Sequence, residues 1–150
     1  MDIRRAQAGD LAAIVRIENT SFGHDAWDRE LFLDYLAQPD RSVFLVAVID
    51  RRVVGYALAF QRSAFHNKAP RAEIHSIAIA PGQRGRGIAA ALLKRILAQL
   101  RHRGFETVSL NVRLENKAAI GLYRKLGFQR VRRVNGYYED GAPAWRMRRT

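Results

Sequence analysis

The chain has 150 residues, 48% of them apolar, which fits one domain with one ordinary core and argues against disorder. It has no cysteine, so disulfides, thiolate metal sites and a cysteine nucleophile are excluded, and no stretch approaches the roughly 18–20 apolar residues of a membrane span. The net charge is +12, from 26 Lys and Arg against 14 Asp and Glu. Such an excess attracts anions (nucleotides, phosphorylated cofactors, RNA or acidic peptides), or else it is the well-solvated surface of a chain that uses arginine freely.

The opening MDIRRAQAGD contains no apolar segment of the signal-peptide kind, and a soluble cytoplasmic protein is expected. IRRA suits a short first strand. AGDLAAIVRIENTSF reads as a helix that Asp10 can cap, with Leu11, Ile14, Val15 and Glu18 at helical spacing. DAWDRELFLDYLA is a second helix, with Leu31, Phe32, Tyr35 and Leu36 on one stripe and Pro39 as its stop. SVFLVAVID and RVVGYALAF, joined by DRR, predict a β-hairpin. QRSAFHNKAP is a polar loop, and AEIHSIAIA a third long strand. Simple alternation there puts Glu73, His75, Ile77 and Ile79 on one face and Ile74, Ser76 and Ala78 on the other.

Ile88, Leu92, Leu93, Ile96, Leu97 and Leu100 then form a helical stripe, with Gly104 as a stop. FETVSLNVR is a strand, NKAAIGLYRKLG a short helix closed by Gly127, and FQRVRRV and PAWRMRR are two last strands around the loop NGYYEDGA. No repeat, linker or low-complexity tract divides the chain, so residues 1–150 read as one mixed α/β domain. The order is a strand, two helices, three strands, a helix, a strand, a helix and two strands.

Between the third long strand and its helix lies PGQRGRGI. A glycine-rich turn entering a helix gathers backbone N–H groups beside the positive end of the helix dipole, which can hold a phosphate without a special side chain. Arg84 and Arg86 add to the field, and Gly85 and Gly87 permit positive φ or close approach. The stretch is neither a Walker A loop, since no Gly-Lys-Ser/Thr follows, nor G-x-G-x-x-G, since residue 90 is Ala. By themselves the glycines also suit a plain tight turn.

IAIAPGQRGRGIAAALL resembles the acetyl-CoA motif of the GNAT N-acetyltransferases, whose loop pattern Arg/Gln-x-x-Gly-x-Gly/Ala is met by Arg84-Gly85-Arg86-Gly87-Ile88-Ala89. LNVRLENKAAIGLYRKLGF is similar to the second signature of that family, and GYYEDGAPAWRM and RRAQAGDLAAIVRIENTSFGHDAW also resemble its members. The nearest likeness is to the protein N-terminal acetyltransferases of the RimI and archaeal Ard type. The resemblance implies the GNAT fold, a single mixed and mostly antiparallel sheet of about six to seven strands flanked by about four helices.

It also implies roles for residues. Ile77, Ala78 and Ile79 offer strand-edge backbone groups to the pantetheine arm of acetyl-CoA, and the turn from Arg84, Gly85, Arg86 and Gly87 to Ile88, Ala89 and Ala90 holds its pyrophosphate. Asn116 positions this cosubstrate, and Tyr123 protonates the departing thiolate. Seven residues, about two turns, separate Asn116 from Tyr123, so one side of a helix can present both; a core aromatic is the plainer reading of Tyr123.

Where the RimI branch has Leu-Glu-Val-Arg, this chain has Leu-Asn-Val-Arg, and Asn111 cannot serve as a base near neutral pH. Asn111 can still position water or a substrate amide. Glu73 and His75 are the replacement candidates, Glu73 first, against the plainer reading of surface strand residues. Tyr137 and Tyr138 fit the binding of a peptide backbone beside the amine, or hairpin packing, while Glu139 and Asp140 attract a cationic N-terminus or solvate a loop. No metal is expected, because His24, His66, His75 and His102 lack a ligand spacing.

The expected activity is acetyl transfer from acetyl-CoA to a primary amine, most simply a protein N-terminus such as that of a ribosomal protein, by a monomer or homodimer. The rivals are transfer to a small amine or a lysine side chain, and a non-catalytic anion- or RNA-binding module. Membrane contact is not expected, and nucleic acid enters only through ribosomal proteins.

Overall fold

The computed structural model describes residues 1–62 and 70–150. In chain order these form β1 (Asp2–Arg5), α1 (Leu11–Phe22), α2 (Arg29–Leu36), β2 (Ser42–Ile49), β3 (Arg52–Arg62), β4 (Arg71–Ile79), α3 (Ile88–His102), β5 (Thr107–Arg113), α4 (Lys117–Lys125), β6 (Gln129–Val134) and β7 (Ala144–Arg149). The strands make one sheet in the order β1-β2-β3-β4-β5-β7-β6. All pairings are antiparallel except β4 with β5. The expected polar loop starts late, because Gln61 and Arg62 still pair with Ala72 and Arg71. Residues 63–69, His66 among them, lie outside the described residues.

The apolar runs become central strands because both of their faces are covered. Val43, Leu45 and Ala47 of β2, and Ala57 and Ala59 of β3, pack with the α3 stripe in one cluster. Phe44, Val46, Tyr56 and Leu58 face the other way, against Leu11, Ile14 and Ile17 of α1 and Phe32 of α2. A strand buried on both sides has no polar face, so its sequence shows no alternation. The hairpin between β2 and β3 turns on Asp50 and Arg51, at φ of 50° and 65°, the left-handed backbone a two-residue hairpin turn requires.

Asp10 precedes α1 but does not cap it as expected. Its carboxylate accepts from the Gln7 N–H at 2.8 Å and from both Arg4 nitrogens at 2.8 and 2.9 Å, which fixes the turn before the helix and ties it to β1.

The alternation expected along β4 is broken by a bulge. Ala59 pairs with Ile74 and Leu58 with Ser76, so His75 is an extra residue with no partner on β3. Ala72, Ile74, Ile77 and Ile79 therefore face α3, while Ser76 and Ala78 join Glu73 and His75 on the α1–α2 side. Ser76 there donates to Glu18 of α1 at 2.7 Å, and the Tyr56 hydroxyl donates to the same carboxylate at 2.8 Å. Burial raises the Glu18 pKa, and the two hydroxyl donors oppose that shift.

Beyond the bulge the sheet forks. β4 pairs with β5 only through Arg71–Thr107, Ala72–Val108 and Glu73–Ser109, after which β5 continues on β7 alone. From Ile74 onward one edge of β4 is unpaired, and the wedge opens towards α3 and α4.

Candidate active site

β4 leads through a short 3-10 turn, Pro81–Gln83, into Gly85 and Gly87 at φ of 79° and 78°. Nothing lies within 4 Å of where a Cβ would stand on either, so the glycines serve the left-handed backbone rather than a tight packing contact. Gly87 is the N-cap of α3 and offers no side chain to the helix. The first helical bond runs from the Ala91 N–H to the Gly87 carbonyl at 3.0 Å, which leaves the N–H groups of Ile88, Ala89 and Ala90 without helical acceptors. The free donors stand at the positive end of a helix of 15 residues, an arrangement suited to an anion.

The two arginines of the turn are engaged. Arg84 donates from Nε to the Ile79 carbonyl at 3.1 Å and reaches Ser21 of α1 at 3.2 Å; Arg86 donates to Gln83 at 2.8 Å. The free edge of β4 can be assigned by alternation. The Ala80 N–H bonds the Val54 carbonyl, so Ala78, two residues back, also turns its polar groups to β3. Ile77 and Ile79 point theirs into the fork, where the Ile79 carbonyl already accepts from Arg84, so an extended amide chain there would pair with Ile77 and with the Ile79 N–H.

Across the fork stands α4. Asn116 caps it, its side-chain oxygen accepting from the Ala119 N–H at 3.2 Å, which leaves its amide nitrogen free to donate to a ligand. Tyr123 lies near the end of α4, buried, with its ring edge-on to Phe128 at 5.8 Å. Its hydroxyl makes no hydrogen bond among the described residues. Burial first, and then the neighbouring Tyr138, raise the Tyr123 pKa, so the phenol keeps its proton through the neutral range.

Glu73 sits at the last β4–β5 pair, buried to 6% exposure, between two guanidiniums. Arg146 of β7 bonds one oxygen. Arg62 Nε stands 2.7 Å from the other, close enough for an ion pair but off the hydrogen-bond direction. Arg146 also reaches Asn111 at 3.4 Å, and Asn111 donates to the Tyr137 hydroxyl at 3.1 Å. Glu73, Arg146, Asn111 and Tyr137 thus form one polar chain across the α1–α2 side of the fork.

His75, pushed out by the bulge, enters an aromatic enclosure. Trp27, Phe60 and Tyr35 surround it at ring-centroid distances of 4.5, 5.5 and 5.8 Å. Burial lowers its pKa below the ordinary histidine value, so the imidazole is neutral at pH 7. Trp27 is 45% exposed and closes the enclosure on the solvent side.

Arg113, at the end of β5, joins three segments. It bonds Asp25 before α2 (Nε at 2.9 Å) and Asp140 of the β6–β7 loop (3.1 Å), and it stacks 4.2 Å from the centre of the Tyr138 ring. Burial is the largest of the influences that push Tyr138 up to about 12. Tyr137 meets Tyr138 edge-on at 4.9 Å and is 46% exposed. Asp140 is therefore a structural partner of Arg113, while Glu139 shows no ion pair among the described residues. Sequence reading passed over Arg62, Arg113, Arg146, Trp27 and Asp25 as site residues. Only strand register could have found the arginines: Arg146 pairs directly with Asn111. No group of three metal-ligating side chains exists among the described residues.

A model of the acetyltransferase (GNAT) family matches residues 11–128. An N-alpha-acetyltransferase of Saccharolobus solfataricus is 31% identical, with 98% of this chain and 91% of that one covered. The N-alpha-acetyltransferase RimI of Mycobacterium tuberculosis is 38% identical over 85% of this chain and 77% of its own length. The crystal structure of Ard1 from Thermoplasma volcanium superimposes with a TM-score of 0.88 at 29% identity, covering 99% of this chain and 95% of that one. The family match runs from α1 to the end of α4 and so takes in the fork, the glycine turn and Tyr123 together: the chain belongs to the acetyltransferase (GNAT) family.

Proposed function

We propose that this protein moves the acetyl group of acetyl-CoA to the α-amine of a protein N-terminus by direct attack in a ternary complex. The observation that carries the reading is the forked sheet, with an unpaired β4 edge leading to the free N–H groups of α3, in a chain whose relatives include N-alpha-acetyltransferases matched over 90% or more of their length. The residues fit the cosubstrate. Ile77 and Ile79 supply edge groups for its amide arm, and the turn from Gly85 to Ala90 supplies donors for its pyrophosphate. Acetyl-CoA brings an activated acyl carbon and a thiolate leaving group.

In the transfer a C–N bond forms as the C–S bond breaks. Tyr123 gives its proton to the departing sulfur, and burial keeps that proton in place until then. The attacking ammonium must lose one proton first, and the nitrogen gives up a second as the amide forms, which makes good the proton that Tyr123 has lost to the sulfur. Glu73 has both oxygens facing guanidiniums, so an ammonium reaches it only by displacing one. His75 is neutral and has no side-chain hydrogen-bond partner among the described residues, so it is the better acceptor, through a water. Glu73 then holds Arg146 and Asn111 in place, and Asn111 with Tyr137 and Tyr138 receives the peptide backbone. A ribosomal protein in the cytoplasm remains the favoured acceptor. Among the described residues no helix is long and apolar enough to cross a membrane.

Free thiol released from acetyl-CoA in the presence of N-terminal peptides tests the reaction; the same peptides with a blocked α-amine and an internal lysine test the lysine alternative. For the base, His75→Gln should lower kcat about 100-fold, within the usual range for a lost general base, and remove the acid limb of the pH profile. Glu73→Gln should chiefly raise the peptide KM. The opposite pattern would return the role of base to Glu73.

A further inference from the structure

The α1–α2 side of the sheet is only half covered. α1 packs on β3 and β4 and α2 on β2, and neither makes a comparable layer over β5, β7 and β6. The register places Arg62, Arg71, Glu73, Ser109, Asn111, Arg132, Arg146 and Arg148 on this one face. Five of these are arginines and one is a carboxylate.

Two of the cross-strand pairs set arginine directly against arginine: Arg62 with Arg71, and Arg132 with Arg146. Like charges in facing positions weaken a sheet. Glu73 relieves only Arg62 and Arg146. Arg71, Arg132 and Arg148 have no ion pair among the described residues, and Arg148 Nε is buried without a hydrogen-bond partner. The sequence 63–69, SAFHNKA, contributes no acidic residue. The carboxylates at the rim, Asp25 and Asp140, are taken by Arg113. The face thus carries a standing cationic excess beside Asn111 and Tyr137, where the acceptor backbone is placed.

We propose that this face receives the part of the acceptor that follows its first residues, and that this part is acidic: a peptide segment with several Asp or Glu side chains laid across Arg71, Arg132 and Arg148. The inference rests on the reading of the site as an N-terminal acetyltransferase. Planar carboxylates match guanidinium forks, and an anion set between two facing arginines removes the repulsion that the sheet bears when empty.

The test compares peptides identical in their first two residues and carrying acidic, neutral or basic residues after them. The acidic series should show about tenfold higher kcat/KM than the neutral one at low salt, the sum expected of a few exposed ion pairs, and the advantage should vanish near 1 M salt as screening shortens to about 3 Å. Arg132→Gln, on the exposed edge strand, should erase most of the preference through KM while turnover of the neutral peptide holds. Binding of an N-terminally blocked acidic peptide, followed by fluorescence anisotropy with wild type and Arg132→Gln, reads the same surface without turnover. Equal kcat/KM for acidic and neutral peptides, or blocked-peptide binding unchanged by Arg132→Gln, overturns the proposal. So does equal displacement of that peptide by a single-stranded oligonucleotide, which would mark a general polyanion surface. If the blocked acidic peptide binds and Arg132→Gln weakens it, yet no peptide is acetylated, the acetyltransfer reading fails and the acidic docking surface stands.

Discussion

Replacing Tyr123 by Phe separates the chemistry from the packing. The ring is 7% exposed and rests edge-on against Phe128 at 5.8 Å, and its burial and that contact survive the change. The hydroxyl has no hydrogen-bond partner among the described residues, so its loss orphans no buried group. The folded state should therefore keep its stability to within about 0.5 kcal/mol. If the hydroxyl protonates the leaving sulfur, its removal takes away an interaction made only as the C–S bond breaks, and kcat should fall about 100-fold or more, which is about 2.7 kcal/mol of barrier. The KM values for peptide and for acetyl-CoA should stay within about threefold, because uniform binding is untouched. The assay is thiol release at saturating substrates, beside a thermal melt of the same preparation. A kcat within twofold of wild type, with an unchanged melt, would refute Tyr123 as the acid and leave it the core aromatic that its helical spacing also allows.

Gly87→Ala should cost about 1 kcal/mol of stability, because an L side chain must sit at φ 78° there, and should raise the KM for acetyl-CoA, measured by thiol release and by melting with added CoA. Arg113→Met should leave kcat with saturating peptide close to wild type but raise the peptide KM, since it frees both Asp25 and Asp140 and unclamps the loop that carries Tyr137 and Tyr138. The activity of wild type should hold as the pH drops through the ordinary histidine range and decline only below it, because His75 titrates below its usual value; an acid limb at or above pH 6.5 would contradict its enclosure. Glu18 has the opposite linkage. Its folded pKa is raised, so the folded state binds the proton more tightly, and stability should fall as the pH rises through and beyond the ordinary glutamate range. Denaturant melts of Glu18→Gln should lack that slope.

The elements were legible in the sequence because each had its own local signal. The α3 stripe from Ile88 to Leu100 is buried throughout, and Gly104 follows the helix at φ 93°, as a left-handed stop should. The glycine turn was legible for the same reason: glycines after a strand and before an amphipathic helix are a local pattern. The facing of β4 was not. Alternation assumes one residue opposite one, and the bulge at His75 is set by how β3 and β4 fit together, which neither strand states alone.

That one inserted residue connects most of what the sequence missed. Without it, Ile77 and Ile79 would share the face of Glu73, and the α3 layer would receive Ser76 and Ala78 instead of two isoleucines. With it, the polar residues Glu73, His75 and Ser76 all gather on the α1–α2 side, beside the rings of Trp27, Tyr35 and Phe60 and the carboxylate of Glu18, while the strand beyond keeps an apolar face for α3. The fork opens immediately past Glu73, so the change of facing and the unpaired edge arise at the same place on β4. Asn111 belongs to this arrangement. Its neighbour across β7 is Arg146, which already holds the Glu73 carboxylate, and a second carboxylate at residue 111 would compete for that one guanidinium. A neutral amide instead accepts from Arg146 and donates to Tyr137, extending the network to the loop between β6 and β7.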